Sequence, residues 1–147
     1  MDFKSFLFAG TSLLIFAACA GDRTKHTLAS EISALEAEVI RIHDDVMPKM
    51  SDIARLMEIM ATESENTALD SLTHEEIDKA VSLLEAGDSL MWEWMHNYRL
   101  PENVTADSIH AYLQNEKLRM TKVRDTMVKG IANAEQLVQK LGYGNPN

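Results

Sequence analysis

Residues 107–141 read DSIHAYLQNEKLRMTKVRDTMVKGIANAEQLVQKL, and the spacing inside them decides the fold. Ile109, Leu113, Glu116, Met120, Val123, Met127, Gly130, Ala134, Leu137 and Leu141 follow one another by unbroken alternating steps of four and three. Steps of that kind keep one seam of a helix facing a partner. A strand would alternate with period two instead. The stretch is therefore expected to form one long helix from about Asp107 to Leu141, with Gly142 as a natural stop. Its seam predicts coiled-coil-like packing against other helices.

Two further patterns lie upstream. The nearer one runs from Thr73 to about Arg99, with a stripe of Ile77, Ala80, Leu84, Gly87, Met91, Trp94 and Tyr98, flanked by Val81 and Met95. Thr73-His74-Glu75-Glu76 fits a capping box, and Pro101 disfavours helix at Leu100. Gly87 in mid-helix costs about 1 kcal/mol against Ala, which predicts a close helix crossing or a bend. The farther pattern spans Leu28 to Thr62. Its stripe is Leu28, Ile32, Leu35, Val39, Ile42 and Val46, then Met50, Ile53, Met57 and Met60. The stutter between Val46 and Met50 coincides with Pro48. Proline removes the bond to the Asp44 carbonyl and crowds it, so a kink or local unwinding is expected. Residues 63–72 read as the first loop.

Short connections between three helical patterns imply antiparallel neighbours. The expected fold class is all-α: an antiparallel three-helix bundle over 28–141, with long first and third helices and a Pro kink in the first. Residues 142–147 read as a flexible tail. Composition agrees. The chain has 147 residues, 46% of them apolar, enough for one core and too few for a second domain. A net charge of -9 argues against nucleic acid as a partner. The single cysteine excludes an internal disulfide framework and a cysteine-based zinc site. Charge is uneven along the chain: residues 28–66 carry nine acids and three bases, 67–99 seven and two, 100–147 five and six. The balanced third helix is expected to lie beside the two acidic ones. There Lys117, Arg119, Lys122, Arg124 and Lys129 would meet Glu36, Asp45, Asp52, Glu85 or Glu93.

The amino end has another character. After Lys4, residues Phe6 to Ala18 are apolar or small and carry no charge. About 13 residues at ~1.5 Å each cannot span a bilayer, and the pattern is that of a secretory signal. It closes on Phe16-Ala17-Ala18-Cys19, which resembles the lipobox of bacterial lipoproteins. Phe16 departs from the aliphatic residue usual there. The resemblance implies that residues 1–18 are a cleaved signal peptide and that Cys19 is lipidated. It also implies that residues 19–27 tether a membrane-anchored domain in the cell envelope. Ala20, rather than Asp, after the cysteine implies the outer membrane.

Eight side chains are expected to converge about midway along the bundle: His43, Met47, Met50, Asp88, Met91, Met95, Glu116 and Met120. Two readings compete. Thioethers and imidazole suit Cu(I), with His43, Met47, Met91 and Met95 as ligands and Asp88 or Glu116 as an outer partner of His43. Alternatively the methionines are packing, and His43 is hydrogen-bonded to Asp88 or Glu116. Trp92, two residues from Trp94, cannot share its face. It is either a partner contact or folded over Arg99 or the first helix. Leu28, Ile32 and Leu35 overhang and need cover, from Leu100 and Val104 of the second loop or from a second copy. No phosphate loop, Gly-x-Ser-x-Gly or His-Glu-x-x-His occurs, so no enzyme is expected and no catalytic residue is named.

Two weaker resemblances complete the reading. Asp70-Ser71-Leu72 is similar to the Asp-Ser/Thr-apolar acceptor of a bacterial envelope O-glycosylation system, with Ser71 placed in a loop. The segments His43-Asp44-Asp45-Val46-Met47-Pro48-Lys49-Met50 and Met91-Trp92-Glu93-Trp94-Met95, with the seam over 109–141, resemble small helical lipoproteins. Some of these are labelled "viral A-type inclusion protein", a name given to coiled-coil-like sequences. That resemblance brings no activity. The expectation is a non-enzymatic envelope lipoprotein that binds protein or acts structurally, as a homo-oligomer or with another envelope protein. The alternative is a periplasmic copper-binding protein.

Overall fold

The computed structural model describes residues 18–143, with side chains from His26 onward. The expected signal segment before Ala18 and the tail from Gly144 lie outside the described residues. Every regular element described is helical: α1 (Ala18–Val46), a 3-10 turn (Met47–Lys49), α2 (Met50–Ser64), α3 (Ser71–Asn97) and α4 (Ala106–Lys140). With α1 and α2 taken as one interrupted rod, three helical rods pack against each other.

The interruption falls where Pro48 requires it. Proline has no N–H to offer the Asp44 carbonyl. The Met50 N–H turns instead to the carbonyl of Met47, three residues back, the tighter bonding of a 3-10 turn. Ser51 Oγ caps the Pro48 carbonyl at 2.7 Å.

Two ends depart from expectation. Thr73 is not the cap of α3. Asp70 is, its carboxylate accepting from the Thr73 N–H at 2.7 Å. Hydrogen bonding to Thr73, through its side chain first and its backbone N–H second, holds the Asp70 carboxyl below the usual range. Ser71 therefore sits in the first helical turn rather than in a loop. Thr105 likewise caps α4 through the Ser108 N–H. At the other extreme α1 already includes Ala18, the first described residue, upstream of the apolar stripe. Once a stripe nucleates a helix, propagation through proline-free residues costs little.

The core is drawn from all three rods. Val39, Ile42, Val46, Ile53, Leu56 and Met60 come from the first. They meet Ile77, Leu84, Met91 and Trp94 of α3 and Met120, Val123, Met127, Ala134 and Leu137 of α4. Past the 3-10 turn Leu56 is buried and Met57 lies at the core edge, a shift in phase from the expected stripe. The α3–α4 crossing is close. A Cβ on Gly87 would stand 3.1 Å from Met127 Cα, and one on Gly130 would stand 2.9 Å from the Leu83 carbonyl oxygen. Gly87 thus marks a crossing.

Candidate functional site

Beside the 3-10 turn an aromatic ladder crosses the bundle. Trp94, on the α3 seam, is 4% exposed, and Glu116, on the α4 seam, is 3% exposed. Trp94 Nε1 donates to Glu116 Oε2 at 2.9 Å. Arg119, one turn along α4, donates to Glu116 Oε1 at 3.1 Å. A buried carboxylate is costly unless paired and hydrogen-bonded, and here both oxygens are engaged. The His43 ring from α1 lies 5.3 Å from Trp94, and Tyr98 stacks on Trp94 at 4.7 Å. Tyr112 follows at 6.3 Å, its hydroxyl accepting from the Arg99 N–H.

Tyr98 Oη is buried with no hydrogen-bond partner among the described residues. Burial pushes its hydroxyl from 10.0 up to about 12, with Glu36, Tyr112 and Glu116 adding to the effect. The hydroxyl therefore stays neutral. The cluster joins three rods: rings fill the space between them, and an occupied acid ties α3 to α4.

The sequence placed His43 and Glu116 near one another, but their bonds differ from expectation. His43 Nδ1 lies 2.9 Å from Asp44 Oδ1, not on Asp88 or Glu116. The indole of Trp94 reaches Glu116 first, because both occupy facing seam positions. Met91 is fully buried in the core, whereas Met47, Met50 and Met95 pack at its edge. Asp88 is half-buried. No group of three or more His, Cys, Asp or Glu side chains among the described residues is arranged to hold an ion.

Trp92 is 58% exposed, so it is not folded over Arg99 or α1. Leu28, Ile32 and Leu35 are half-buried and lie outside the central core. Leu100 and Val104 are themselves 39% and 46% exposed. Cys19 lies in the first turn of α1 by its backbone. Ser71 is exposed. The cross-helix cations are also corrected. Lys117 pairs with Glu38 at 2.8 Å, while Arg119 and Arg124 pair within α4. Charges on facing rods meet only where side-chain reach and helix rotation agree.

A second buried acid was missed. Glu63, 7% exposed, lies in the last turn of α2 where a loop is expected. Its Oε2 accepts from Asn66, and its Oε1 accepts from the Tyr143 hydroxyl at 2.5 Å. That bond is the first cause raising the Tyr143 hydroxyl above its ordinary value. The expected stripe, stepping three, four, three through Met50, Ile53, Met57 and Met60, points next to Ser64; Glu63 turns inward because the phase past the 3-10 turn is that of Ile53, Leu56 and Met60.

Among the described residues no helix is long and apolar enough to cross a membrane. Comparison with protein families, curated proteins and solved structures gives no significant match. The class these elements define is an all-helical bundle with an aromatic and carboxylate cross-tie.

Proposed function

We propose that this chain is an envelope lipoprotein, anchored by lipid at Cys19 in the outer membrane. Its helical domain acts as a non-enzymatic protein-binding or structural module. The observation that carries the anchor is Phe16-Ala17-Ala18-Cys19 closing an uncharged apolar run. Two or more acyl chains anchor firmly where one binds only marginally. The module reading is supported by the use the bundle makes of its buried acids: Glu63 and Glu116 both have their oxygens engaged in holding the fold. Trp92, exposed on α3, is the side chain best suited to a partner contact.

The bundle is antiparallel, with long first and third rods and a bend at Pro48. The order of contacts supports this. Glu76–Lys140 and Trp94–Glu116 run in opposite senses along α3 and α4. Glu38–Lys117 and Glu63–Tyr143 run in the same sense along the first and last rods. Metabolic labelling with a fatty acid tests the anchor. Labelling and membrane association are expected to vanish in Cys19→Ala, and persistence of either refutes it.

Copper is the second reading, favoured by one observation. The His43 side chain is 20% exposed, and Met47 and Met95 lie at the core edge, within reach of solvent. Titration with Cu(I) against a competing chelator decides it. Binding tighter than the chelator, abolished in His43→Ala/Met47→Leu, would establish the site.

A further inference from the structure

The outer groove between α3 and α4 differs in charge from most of this acidic molecule. Leu83, Leu90 and Glu93 line its α3 side, and Leu118, Lys122, Asp125 and Lys129 its α4 side; Asp125 is already taken by Arg124 at 2.8 Å. Leu118 is 69% exposed in mid-helix. Lys122 and Lys129 make no ion pair among the described residues, although the chain carries a net charge of -9. Unpaired lysines flanking exposed leucine suit an acidic helix with a narrow face.

α1 presents such a face. Ser33, Ala37 and Ile40 form its centre, with Glu36 and Asp44 alongside, and only α1 side chains line this strip. Arg41 on the same strip is tied to Asp45 at 2.7 Å; Asp44 has one carboxylate oxygen on the His43 ring at 2.9 Å and its other oxygen left to meet a cation. The spacings match. Glu36 and Asp44 stand about 12 Å apart along α1, and Lys122 and Lys129 about 10.5 Å apart along α4. Ser33 and Ala37 are the small residues of this face and permit close approach over leucine.

We propose that these two faces meet between copies of this chain. α1 of one copy lies in the α3/α4 groove of the next as a fourth helix, with Glu36 and Asp44 against Lys129 and Lys122. This names the partner for the protein-binding reading above and rests on that reading, not on the anchor. The two faces are different surfaces, so the contact is heterologous and extends into rings or chains rather than closing as a dimer.

Sedimentation velocity of the full-length chain in mild detergent tests the pairing. Assemblies beyond two copies are expected to grow with concentration at low salt and to shrink as salt screens the exposed charges. The groove variant Lys122→Glu/Lys129→Glu and the ridge variant Ala37→Arg change exposed positions. Each should sediment as a monomer with an unchanged thermal melt. Mixed, they should form one-to-one pairs that grow no further, because the intact ridge of the first fits the intact groove of the second. A wild type that stays monomeric overturns the pairing and leaves Trp92 to serve another partner. Assembly that survives both variants, closes at two copies, or fails to recover on mixing overturns it as well.

Discussion

Trp94 of α3 and Tyr98, the residue that caps its C-terminal end, lie four positions apart, yet their polar atoms meet opposite fates. The indole N–H has Glu116, while the phenol has no partner among the described residues. Removing a donor from a buried acid leaves the acid uncompensated, whereas removing an unpartnered hydroxyl relieves a desolvation cost. Trp94→Phe is therefore expected to destabilise by about 1–3 kcal/mol in urea unfolding. Glu116→Gln in that background should recover part of the loss, because a neutral amide is cheaper to bury. Equal midpoints for wild type and Trp94→Phe would dismiss the bond as a support. Tyr98→Phe is expected to leave stability unchanged or to raise it by up to ~1 kcal/mol. The two chains should also differ in alkali. The folded hydroxyl titrates at about 12, above its ordinary 10.0, so the unfolded chain loses this proton first. The contribution is complete below pH 10.0, and it is lost as pH rises through about 12. Urea midpoints measured across that window should fall more steeply for wild type than for Tyr98→Phe. At this scale the seam position of Glu116 announced a buried acid needing a partner. Its choice of Trp94 over His43 depended on the rotation of three helices, which spacing along one chain does not encode.

Helix limits follow local chemistry, and crossings do not. α4 runs Ala106–Lys140, against an expected Asp107 to Leu141, because its seam is unbroken and a hydroxyl and a glycine bracket it. α3 begins earlier than Thr73 because Asp70 offers a carboxylate to the same N–H that a capping box would use. Pro48 interrupts the first rod for a covalent reason visible in the sequence. The glycines need tertiary knowledge. In an isolated helix Gly→Ala gains about 1 kcal/mol. At Gly130 the new methyl would sit 2.9 Å from the backbone carbonyl of Leu83, and a carbonyl cannot swing aside as a side chain can. Gly130→Ala is therefore expected to destabilise by about 1–3 kcal/mol. Gly87→Ala should cost less, since its nearest backbone neighbour is at 3.1 Å. A thermal melt showing Gly130→Ala at or above wild type would remove the close-crossing account.

Across the whole molecule burial is unequal, and dynamics should follow. Leu28, Ile32 and Leu35 on α1 are half-buried, whereas Leu113, Met120, Met127 and Ala134 on α4 are fully enclosed. Segments with few buried apolar contacts open first. Hydrogen exchange is therefore expected to label amides of residues 28–35 well before those of 120–134. Uniform protection would mean that the amino-terminal half of α1 is as firmly held as the core. The two buried acids brace separate parts of the bundle, Glu116 through Trp94 and Glu63 through Tyr143. Neither Glu63, turned inward by the change of phase past the 3-10 turn, nor Tyr143, 80 positions away, was legible. By itself the sequence determined the helical class, the three rods, the break at Pro48 and most of the core, because each depends on periodicity or on backbone chemistry within a few residues. The tertiary structure alone decided the Trp94–Glu116 tie, the orphaned Tyr98 hydroxyl, the Lys117–Glu38 pair and the glycine contacts. Each of those depends on the relative rotation and depth of rods whose contacting residues lie far apart in the chain.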